Sequence, residues 1–356
     1  MPLTFIDFFA GIGGFHSGMK QAGHQCVGWI EWDKFARKSY EAMYNTKGMF
    51  TANDIAQIKQ GEQLPQADIW CFGSPCQNIS WGGNRQGIHG QASSVFFEIM
   101  RLLNDRQEIR KPAYLFMENV KHLLSSNGGR DFAEVLLQMD QAGYDAEWQT
   151  CNSKEVGPQN RERIFVIGHK RGRTTRRIFP LDIQPYATKD CSLSDVLEDN
   201  VDERFYLPES KVKQLVVNAN KRSAPRKSRN AVNIVGSTKY DWQTTSGQRE
   251  QVYGNGKAPT LTATDYKNPI RIAEKDGKLI ERASQVQQIG NLNSFSSLHV
   301  RKLTPLECWR LQGFTDKQFY QAKESGVSNN QLYKQAGNAV TVPVIHAIAD
   351  QFEIKK

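Results

Sequence analysis

Short apolar runs of strand length alternate with segments of helical apolar spacing through the first half of the chain, and this alternation constrains the fold more than any other feature. The expected strands are Leu3–Phe8, Cys26–Ile30, Asp68–Phe72, Ala113–Met117 and Arg163–Gly168. The expected helices are Phe15–Ala22, Lys34–Tyr44, Val95–Leu103 and Phe132–Met139. This order predicts an α/β fold with a mostly parallel sheet that is covered by helices on both faces.

The alternation stops near Pro180, and the residues from there to Val300 are rich in Ser, Thr, Asn, Gln, Gly and Lys. Short β-like pieces such as Val232–Gly236 occur in this stretch, which therefore predicts a smaller, irregular α+β domain. Apolar spacing then returns and ends in an expected terminal helix, Val340–Phe352, that packs back on the first domain. We expect a main domain at residues 1–186, a second domain at 187–300, and a hinge and C-terminal return at 301–356.

A glycine-rich turn, Asp7–Gly14, follows the first expected strand and opens the first helix. Glycines there let the backbone turn tightly and approach a ligand closely, although the spacing is neither that of a dinucleotide binder nor that of a P-loop. Glu31 follows the second strand, where a carboxylate can accept hydrogen bonds from two ribose hydroxyls. Trp32 can lie against an adenine face, and Asp54, followed by Ile55, can receive its amino group. Together these positions indicate an adenosine pocket.

Cys76 lies in the segment Gly73–Gln77, directly after the expected strand Asp68–Phe72. A Pro-Cys pair in a loop at a strand end holds the sulfur out of the core, whereas the alternative is a buried thiol that only fills space. The six cysteines include no CxxC pair, which argues against a structural zinc site and a disulfide framework. A reduced thiol in this position can be a nucleophile.

Glu118 ends another apolar strand, within Phe116–Val120. A thiolate that adds to C6 of cytosine makes C5 electron-rich, and a carboxylic acid at N3 eases that addition. We assign these roles to Cys76 and Glu118. Arg161 and Arg163 stand one residue apart before the next strand, and one of them, Arg163 by preference, can bind the cytosine O2 oxygen. The alternative for this segment is a surface ion pair with Glu162.

The net charge of +9 and the isoelectric point of about 9.2 indicate a polyanionic partner. Basic residues cluster at 170–177 and at 221–229, which favours a phosphate-binding surface about as strongly as it favours two solvated loops. No apolar run is long enough to span a membrane, and the apolar stretch Leu3–Phe9 is interrupted by Asp7, unlike a signal peptide. We therefore expect a cytoplasmic protein.

Taken in order, these segments and others further along resemble the motifs of the DNA (cytosine-5) methyltransferase family, and the resemblance spans nearly the whole chain. The segments are Asp7–Gly14, Glu31-Trp32, Asp54-Ile55, Pro75–Gln77, Glu118–Val120, Gln159–Arg163, Arg301–Pro305 with Glu307 and Arg310–Phe314, and Gln335–Val340 with Pro343. Pro259–Ala263 is similar to the recurrent segment of the family's recognition domain.

The resemblance implies a Rossmann-like S-adenosylmethionine-dependent methyltransferase domain and a target-recognition domain, with double-stranded DNA between them and the cytosine flipped out of the duplex. S-adenosylmethionine is the implied cofactor, S-adenosylhomocysteine its product, and no metal is implied. The implied catalytic residues are Cys76, Glu118, Arg161 and Arg163. The implied cofactor-binding residues are Phe9, Ala10, Gly11, Gly13, Gly14, Glu31, Trp32, Asp54, Ile55, Pro75, Asn338 and Val340. The implied DNA contacts are Gln77, Ser80, Arg85 and Thr260.

The chain departs from the family's pattern after the cysteine motif. Many relatives carry an arginine before the following Phe-Phe pair, but Gln91–Ser94 stands there in this chain. That position offers no guanidinium to a phosphate, although Arg85 lies in the same loop. The glycine-rich loop at residues 78–94 is expected to close over the cytosine.

Two other functions remain open from the residues: transfer-RNA cytosine-5 methylation, and nucleic-acid binding without catalysis. The long insert before Arg301 favours recognition of duplex DNA, and Cys76, Glu118 and Arg163 together favour an enzyme over a binding module. The layout of the chain indicates a bacterial or phage modification enzyme. We expect a monomer that can share its site with a restriction endonuclease without forming a stable complex.

Overall fold

A computed structural model of the chain describes residues 1–73, 94–187, 192–213, 234–237, 251–267, 269–281, 285–286, 288 and 297–354. The chain divides into two compact units. The first unit comprises Met1–Asn152, Glu162–Tyr186 and Ala339–Lys356, and the second comprises Ser153–Arg161 and Ala187–Asn338. One of the divisions between the units falls between Tyr186 and Ala187. Residues 301–338, which we expected in the C-terminal return, group instead with the second unit.

A mostly parallel sheet forms the centre of the first unit, and its described strands are β1 (Thr4–Phe8), β2 (Gln25–Ile30), β3 (Phe50–Ala52), β4 (Ile69–Gly73), β5 (Tyr114–Val120), β6 (Tyr144–Asn152) and β7 (Glu162–Lys170). The strand order is β3-β2-β1-β4-β5-β7-β6. All neighbours from β3 to β5 run parallel, whereas β7 is antiparallel to both β5 and β6. The predicted fold class is confirmed, and each of the five expected strands is present.

Helices cover both faces of this sheet because its central strands are apolar on both sides. The described helices of the first unit are α1 (Gly14–Gln21), α2 (Lys34–Met43), α3 (Ser94–Asn104), α4 (Arg130–Gln141) and, near the C-terminus, α8 (Val342–Ala349). One core joins alternate residues of β1, β4 and β5 to the buried sides of α3 and α4. The helices α1, α2 and α8 contribute buried residues of their own.

The C-terminal helix α8 packs against α1, as expected for the tail of the chain. A Cβ placed on Gly18 would lie 2.6 Å from the Ile345 side chain, so the two helices approach each other more closely than a larger residue would permit. The N-terminal strand is tied to the same helix through His24, which accepts from the Leu3 N–H and lies 2.9 Å from the Ala349 carbonyl oxygen. The first and last parts of the chain therefore form one body.

The second unit contains a small mixed sheet and three helices in its described part. The strands are β8 (Ile234–Ser237), β9 (Gln251–Tyr253), β10 (Arg271–Lys275), β11 (Lys278–Leu279) and β12 (Leu298–Lys302), and the helices are α5 (Pro305–Leu311), α6 (Asp316–Glu324) and α7 (Asn329–Asn338). Strand β10 pairs with β9, β11 and β12. Helix α5 begins with a capping box, in which the Thr304 and Glu307 side chains each accept a main-chain N–H of the other residue.

Within the described residues, we find no helix with the length and apolar character that a membrane crossing requires.

Candidate active site

The carboxyl ends of β1, β4 and β5 meet at one edge of the sheet, as parallel strands require. Gly73 ends β4, and a Cβ built on it would lie 3.4 Å from the Glu118 Oε2 atom on β5. The same Cβ would lie 3.8 Å from Phe15 and 3.9 Å from Val340. Glu118 is therefore held at the point where the chain leaves β4 towards Pro75 and Cys76.

Glu31 fixes the shape of the glycine-rich turn. Its Oε2 atom accepts from the Gly11 N–H at 2.7 Å, and its Oε1 atom accepts from the Asp33 N–H at 2.8 Å. Burial of the Glu31 carboxyl raises its pKa, while the two main-chain donors act in the opposite direction. A Cβ on Gly11 would meet no atom of the described residues within 4 Å, so among these residues the turn is open on the side where a ligand can approach.

The other expected adenosine contacts lie around this turn with different exposures. The Trp32 side chain is 80% exposed, so one face of its indole is available for stacking. Asp54 is exposed and caps a short helical turn by accepting from the Ala56 N–H at 2.9 Å. The side chain of Ile55 is buried and packs in the hydrophobic core of the first unit, next to Asp54 in the chain.

Hydroxyl and aromatic groups behind the glycine turn form a second layer that sequence patterns did not identify. The Tyr44 hydroxyl donates to the Ile12 and Gly13 carbonyl oxygens at 3.1 and 2.9 Å and lies 2.7 Å from Ser17 Oγ. The ring of His16 stacks on Tyr44 at 3.9 Å. Burial lowers the pKa of His16 to about 3, so this ring is neutral at ordinary pH. These contacts join residues far apart in the chain, which no local pattern reveals.

Three residues with positive φ angles and one close contact complete the turn. Phe9, Gly11 and Gly13 have φ angles of 56°, 55° and 78°, and Gly13 caps α1. A Cβ on Gly14 would lie 2.5 Å from Val340 Cγ2 and 2.8 Å from the Val340 carbonyl oxygen. Val340, which we expect to contact the cofactor, therefore packs against the glycine turn in the first unit. Ala10 is buried with Trp29 and Tyr40.

Glu118 and Arg163 form an ion pair, with Arg163 Nε 3.0 Å from Glu118 Oε1. Both side chains are largely buried. Arg163 Nη1 also donates to the main-chain oxygen of Glu162 at 2.7 Å. In the described part of the chain, the Glu162 carboxylate pairs with Lys121 at 3.2 Å, so the alternative of an arginine ion pair with Glu162 is not what the structure shows.

Arg161 lies in the second unit and has a different environment from Arg163. Its buried guanidinium donates from Nη1 to the carbonyl oxygens of Leu261 and Gly337 at 3.0 and 3.4 Å. Thr260, the expected DNA contact, donates through its hydroxyl to the Asn160 carbonyl oxygen at 2.6 Å. Asn338 ends α7 and is exposed. The spacing of Arg161 and Arg163 in the sequence did not predict that their guanidinium groups have different environments.

The basic cluster at residues 170–177 does not lie at this edge. In the antiparallel pair of β5 and β7, Arg163 stands opposite Val120 and His169 stands opposite Tyr114, so Lys170 is at the other end of the sheet. At about 3.3 Å per residue this separates Lys170 from Arg163 by roughly 20 Å. Lys170 pairs with Glu108, Arg171 with Asp140 and Asp145, and Arg177 with Glu147. The residues at 221–229 lie outside the described ranges.

The model of the family described as C-5 cytosine-specific DNA methylase matches residues 3–353. The chain belongs to this family. The family uses S-adenosylmethionine generally, and the fold and the order of motifs expected from the sequence agree with this assignment.

Proteins similar to this methylase are named as methyltransferases. It is 32% identical to the type II methyltransferase M.HhaI of Haemophilus parahaemolyticus, with 98% of this chain and 93% of that protein covered. It is 31% identical to the type II methyltransferase M.Bsp6I of a Bacillus species, with 98% of both chains covered. The solved structure of the Entamoeba histolytica methyltransferase EhMeth covers 98% of this chain and 96% of that one, with a TM-score of 0.68 at 19% identity.

The described cysteines of the methylase are packing residues. Cys26, Cys71, Cys151 and Cys308 are buried, and none of them forms a disulfide within the described part of the chain. Burial raises the pKa of Cys26 to about 12, and it raises the pKa values of Cys71 and Cys308 well above the ordinary value, so these thiols stay protonated. The expected nucleophile Cys76 lies outside the described residues, together with four other expected site residues: Pro75, Gln77, Ser80 and Arg85. The expected lid at residues 78–94 falls almost entirely there as well.

Proposed function

We propose that this methylase transfers a methyl group to C5 of a cytosine that is flipped out of duplex DNA, through a covalent bond between Cys76 and C6. The observation that carries the proposal is the position of Glu118. Its carboxylate is paired with Arg163 at 3.0 Å, and it stands 3.4 Å from the Cβ position of Gly73, three residues before Cys76. An acid, a guanidinium and the start of the cysteine loop therefore meet at one edge of the sheet.

The chemistry follows from the electron demand of the ring. The Cys76 thiolate adds to C6, and the electron pair of the C5–C6 double bond moves towards C5 and the ring. Bound S-adenosylmethionine supplies an electrophilic methyl group to C5. A base then removes the C5 proton, the double bond re-forms, and the C6–S bond breaks to release Cys76 as a thiolate. Flipping is required because both ring faces are covered inside a base stack.

Glu118 and Arg163 have complementary tasks in this scheme. Glu118, once it carries a proton as the carboxylic acid, donates this proton to N3 in a hydrogen bond or transfers it there, which draws electrons from C6 and eases addition of the thiolate. A guanidinium has five N–H donors, and the contacts described for Arg163 occupy its Nε and one N–H of Nη1. We propose that the remaining donors bind the O2 oxygen and stabilise the charge that develops there. The ion pair keeps both groups in one geometry before the base arrives.

The residues around the glycine turn fit S-adenosylmethionine. The open space above Gly11, the exposed indole of Trp32 and the carboxylate of Glu31 beside them offer room, a stacking surface and a hydrogen-bond acceptor. We propose that Glu31 holds the ribose, Trp32 the adenine face and Asp54 the adenine amino group. Phe9, Ala10, Gly13, Gly14 and Val340 shape the turn, with Pro75 and Asn338 as further proposed contacts.

We propose that residues 187–300 are the target-recognition domain and that Gln77, Ser80, Arg85 and Thr260 contact DNA. The Thr260 hydroxyl donates to Asn160, and its oxygen can still accept a hydrogen bond. The type II names of the relatives support a role in restriction-modification, with an endonuclease acting on the same site. We propose that the methylase itself acts as a monomer.

The test is methyl transfer from labelled S-adenosylmethionine to unmethylated genomic DNA, followed by mapping of 5-methylcytosine. We expect methylation at one short recurring site, complete loss in Cys76→Ala, and a loss of orders of magnitude in Glu118→Gln. Cys308→Ala, which removes a buried thiol, is the matched control and should keep its activity. A denaturation-stable complex with DNA that carries 5-fluorocytosine should form with the wild type and not with Cys76→Ala, because the C5 fluorine cannot leave as the proton does.

Full activity of Cys76→Ala would contradict the covalent mechanism. A near-normal rate of methyl transfer by Glu118→Gln would mean that a group other than Glu118 hydrogen-bonds or protonates N3. Transfer to total RNA without transfer to DNA would favour the transfer-RNA reaction, and no transfer to either would favour a binding protein.

A further inference from the structure

Three segments of the second unit meet at one place, which we call the junction: residues 153–161, residues 257–265 and residues 335–338. Main-chain bonds join the first two segments, since Asn160 N donates to Ala258 at 2.8 Å and Ala258 N donates to Pro158 at 2.6 Å. Side chains add to them: Lys257 donates to the Gly157 carbonyl oxygen at 3.0 Å, and Thr260 donates to that of Asn160 at 2.6 Å. The proposed DNA contact Thr260 is thus bonded to the segment that leads to Arg163.

Arg161 connects the third segment. Its Nη1 group reaches both the Leu261 and the Gly337 carbonyl oxygens, which belong to different segments of the junction. Gly337 packs so closely on the 257–265 segment that a Cβ there would overlap the main chain of Thr262. One buried guanidinium therefore holds all three segments together.

The junction includes residues at which the chain passes from one unit to the other. The chain passes between the two units after Asn152, Arg161, Tyr186 and Asn338, and three of these four passages begin or end in the junction. Arg161 is two residues before Arg163, which pairs with Glu118. Gly337 is three residues before Val340, which packs on the glycine turn. Only two residues of chain therefore separate the junction from Arg163 of the catalytic pair, and only three separate it from Val340 at the cofactor turn.

A buried amide in the junction has unused hydrogen-bonding capacity. The side chain of Gln159 is fully buried, and neither its Oε1 nor its Nε2 atom has a hydrogen-bond partner in the described structure. Buried polar groups are nearly always paired, so an unpaired amide at this position calls for a physical reason. Gln159 can still accept and donate hydrogen bonds within the junction, next to the residues that Arg161 holds.

We propose that Arg161 is a positioning residue that couples DNA contact at the 257–265 segment to cofactor binding and to the placement of Arg163. The proposal rests on the proposed function, because it requires DNA as the partner of that segment. Arg161 acts through carbonyl oxygens and not on the reacting atoms. Its role therefore shows in the dependence of one ligand's affinity on the other.

The test compares S-adenosylhomocysteine affinity with and without a duplex oligonucleotide that carries the mapped methylation site, by calorimetry. In the wild type we expect DNA to raise the affinity by about 5- to 150-fold, the usual range for coupled sites. In Arg161→Lys we expect this factor to fall by roughly three- to thirtyfold. Lysine keeps the charge, but its compact, strongly hydrated ammonium group does not reproduce the fixed planar geometry of the guanidinium.

Arg106→Lys is the matched control, because Arg106 is also a buried arginine that donates to main-chain carbonyl oxygens, those of Arg110, Gly61 and Leu64 in the first unit. It should keep the wild-type coupling. If Arg161→Lys does not fold, Ser153→Ala replaces it, since this change removes only the bond from Ser153 Oγ to Gln159 at 2.7 Å, and it should lower the coupling too.

Wild-type coupling in a folded Arg161→Lys, or equal losses in Arg161→Lys and Arg106→Lys, would overturn the proposal. Absence of coupling in a wild type that methylates DNA would also overturn it and would leave the proposed function intact. A wild type that does not methylate DNA would instead refute the proposed function itself.

Discussion

Replacement of Glu307 by alanine should remove a large part of the stability of the second unit. The carboxylate of Glu307 is fully buried and accepts two bonds from the equally buried Arg301, both at 2.9 Å. It also accepts from the main-chain N–H groups of Thr304 and Glu198 at 2.7 and 3.0 Å. One side chain therefore holds β12, the start of α5 and a distant turn together.

The magnitude follows from what the substitution leaves behind. Removal of one partner from a buried ion pair costs about 3–5 kcal/mol, because the remaining charge has no compensation in the interior. Arg301 retains Glu274 at 3.0 Å, which moderates the loss. The buried Thr304 N–H and the half-buried Glu198 N–H also lose their acceptor, and a buried donor left unpaired costs about 1–3 kcal/mol. We therefore expect a decrease of about 4 kcal/mol in the free energy of unfolding, against the 5–15 kcal/mol typical of a domain.

Urea unfolding followed by circular dichroism measures this decrease, with the slope used to convert the midpoint into a free energy. Asp316→Ala is the control, because it breaks the Arg310–Asp316 pair of 2.6 Å, in which Asp316 is half exposed. Exposed pairs contribute about 1 kcal/mol or less. A Glu307→Ala protein that loses no more stability than Asp316→Ala would refute the reasoning that burial makes this ion pair important.

Three further predictions concern the glycine turn. Tyr44→Phe keeps the ring but loses a hydroxyl that bonds two carbonyl oxygens of the turn, so calorimetry should show S-adenosylhomocysteine binding weakened by about 1 kcal/mol; unchanged affinity would mean that the turn keeps its shape unaided. Gly14→Ala places a methyl group 2.5 Å from Val340 and should lower the free energy of unfolding by about 1–3 kcal/mol, which a wild-type urea midpoint would contradict. Burial lowers the pKa of His16 from 6.5 to about 3, so at pH 5 this side chain is protonated in the unfolded chain and neutral in the folded protein. Acidification from pH 7 to pH 5 should therefore lower the free energy of unfolding by about 2 kcal/mol through His16. A His16→Gln protein whose stability has the same pH dependence between pH 7 and 5 would disprove this.

The fold of the first unit was predictable because its central strands are buried on both faces. Such strands appear in the sequence as continuous apolar runs, and β1, β2, β4 and β5 all do. The edge strand β6, Tyr144–Asn152, was not predicted, since its half-exposed residues mix apolar and charged types. Strand β3 has only three residues, too few for any pattern.

The assignment of residues 301–338 to the second unit could not be read from the sequence. Spacing identifies a helix, but the unit to which a helix belongs depends on contacts with distant residues. For α5 the deciding contacts are made by Glu307, whose carboxylate accepts from the Glu198 N–H and from Arg301. Arg301 in turn donates to Glu274. An ion-pair network of this kind has no signature in the local order of residues.

Arg161 and Arg163 illustrate the same limit at the candidate site. Both are arginines of one motif, and alternate positions of an extended strand would direct them to one side. Strand β7, however, begins at Glu162, so only Arg163 follows the strand's alternation, in which it meets a carboxylate. Arg161 precedes the strand and meets carbonyl oxygens, which need its planar donors more than its charge. A motif therefore specifies residue types and their order. The residue at which the strand begins decides which of two arginines pairs with a carboxylate and which binds carbonyl oxygens.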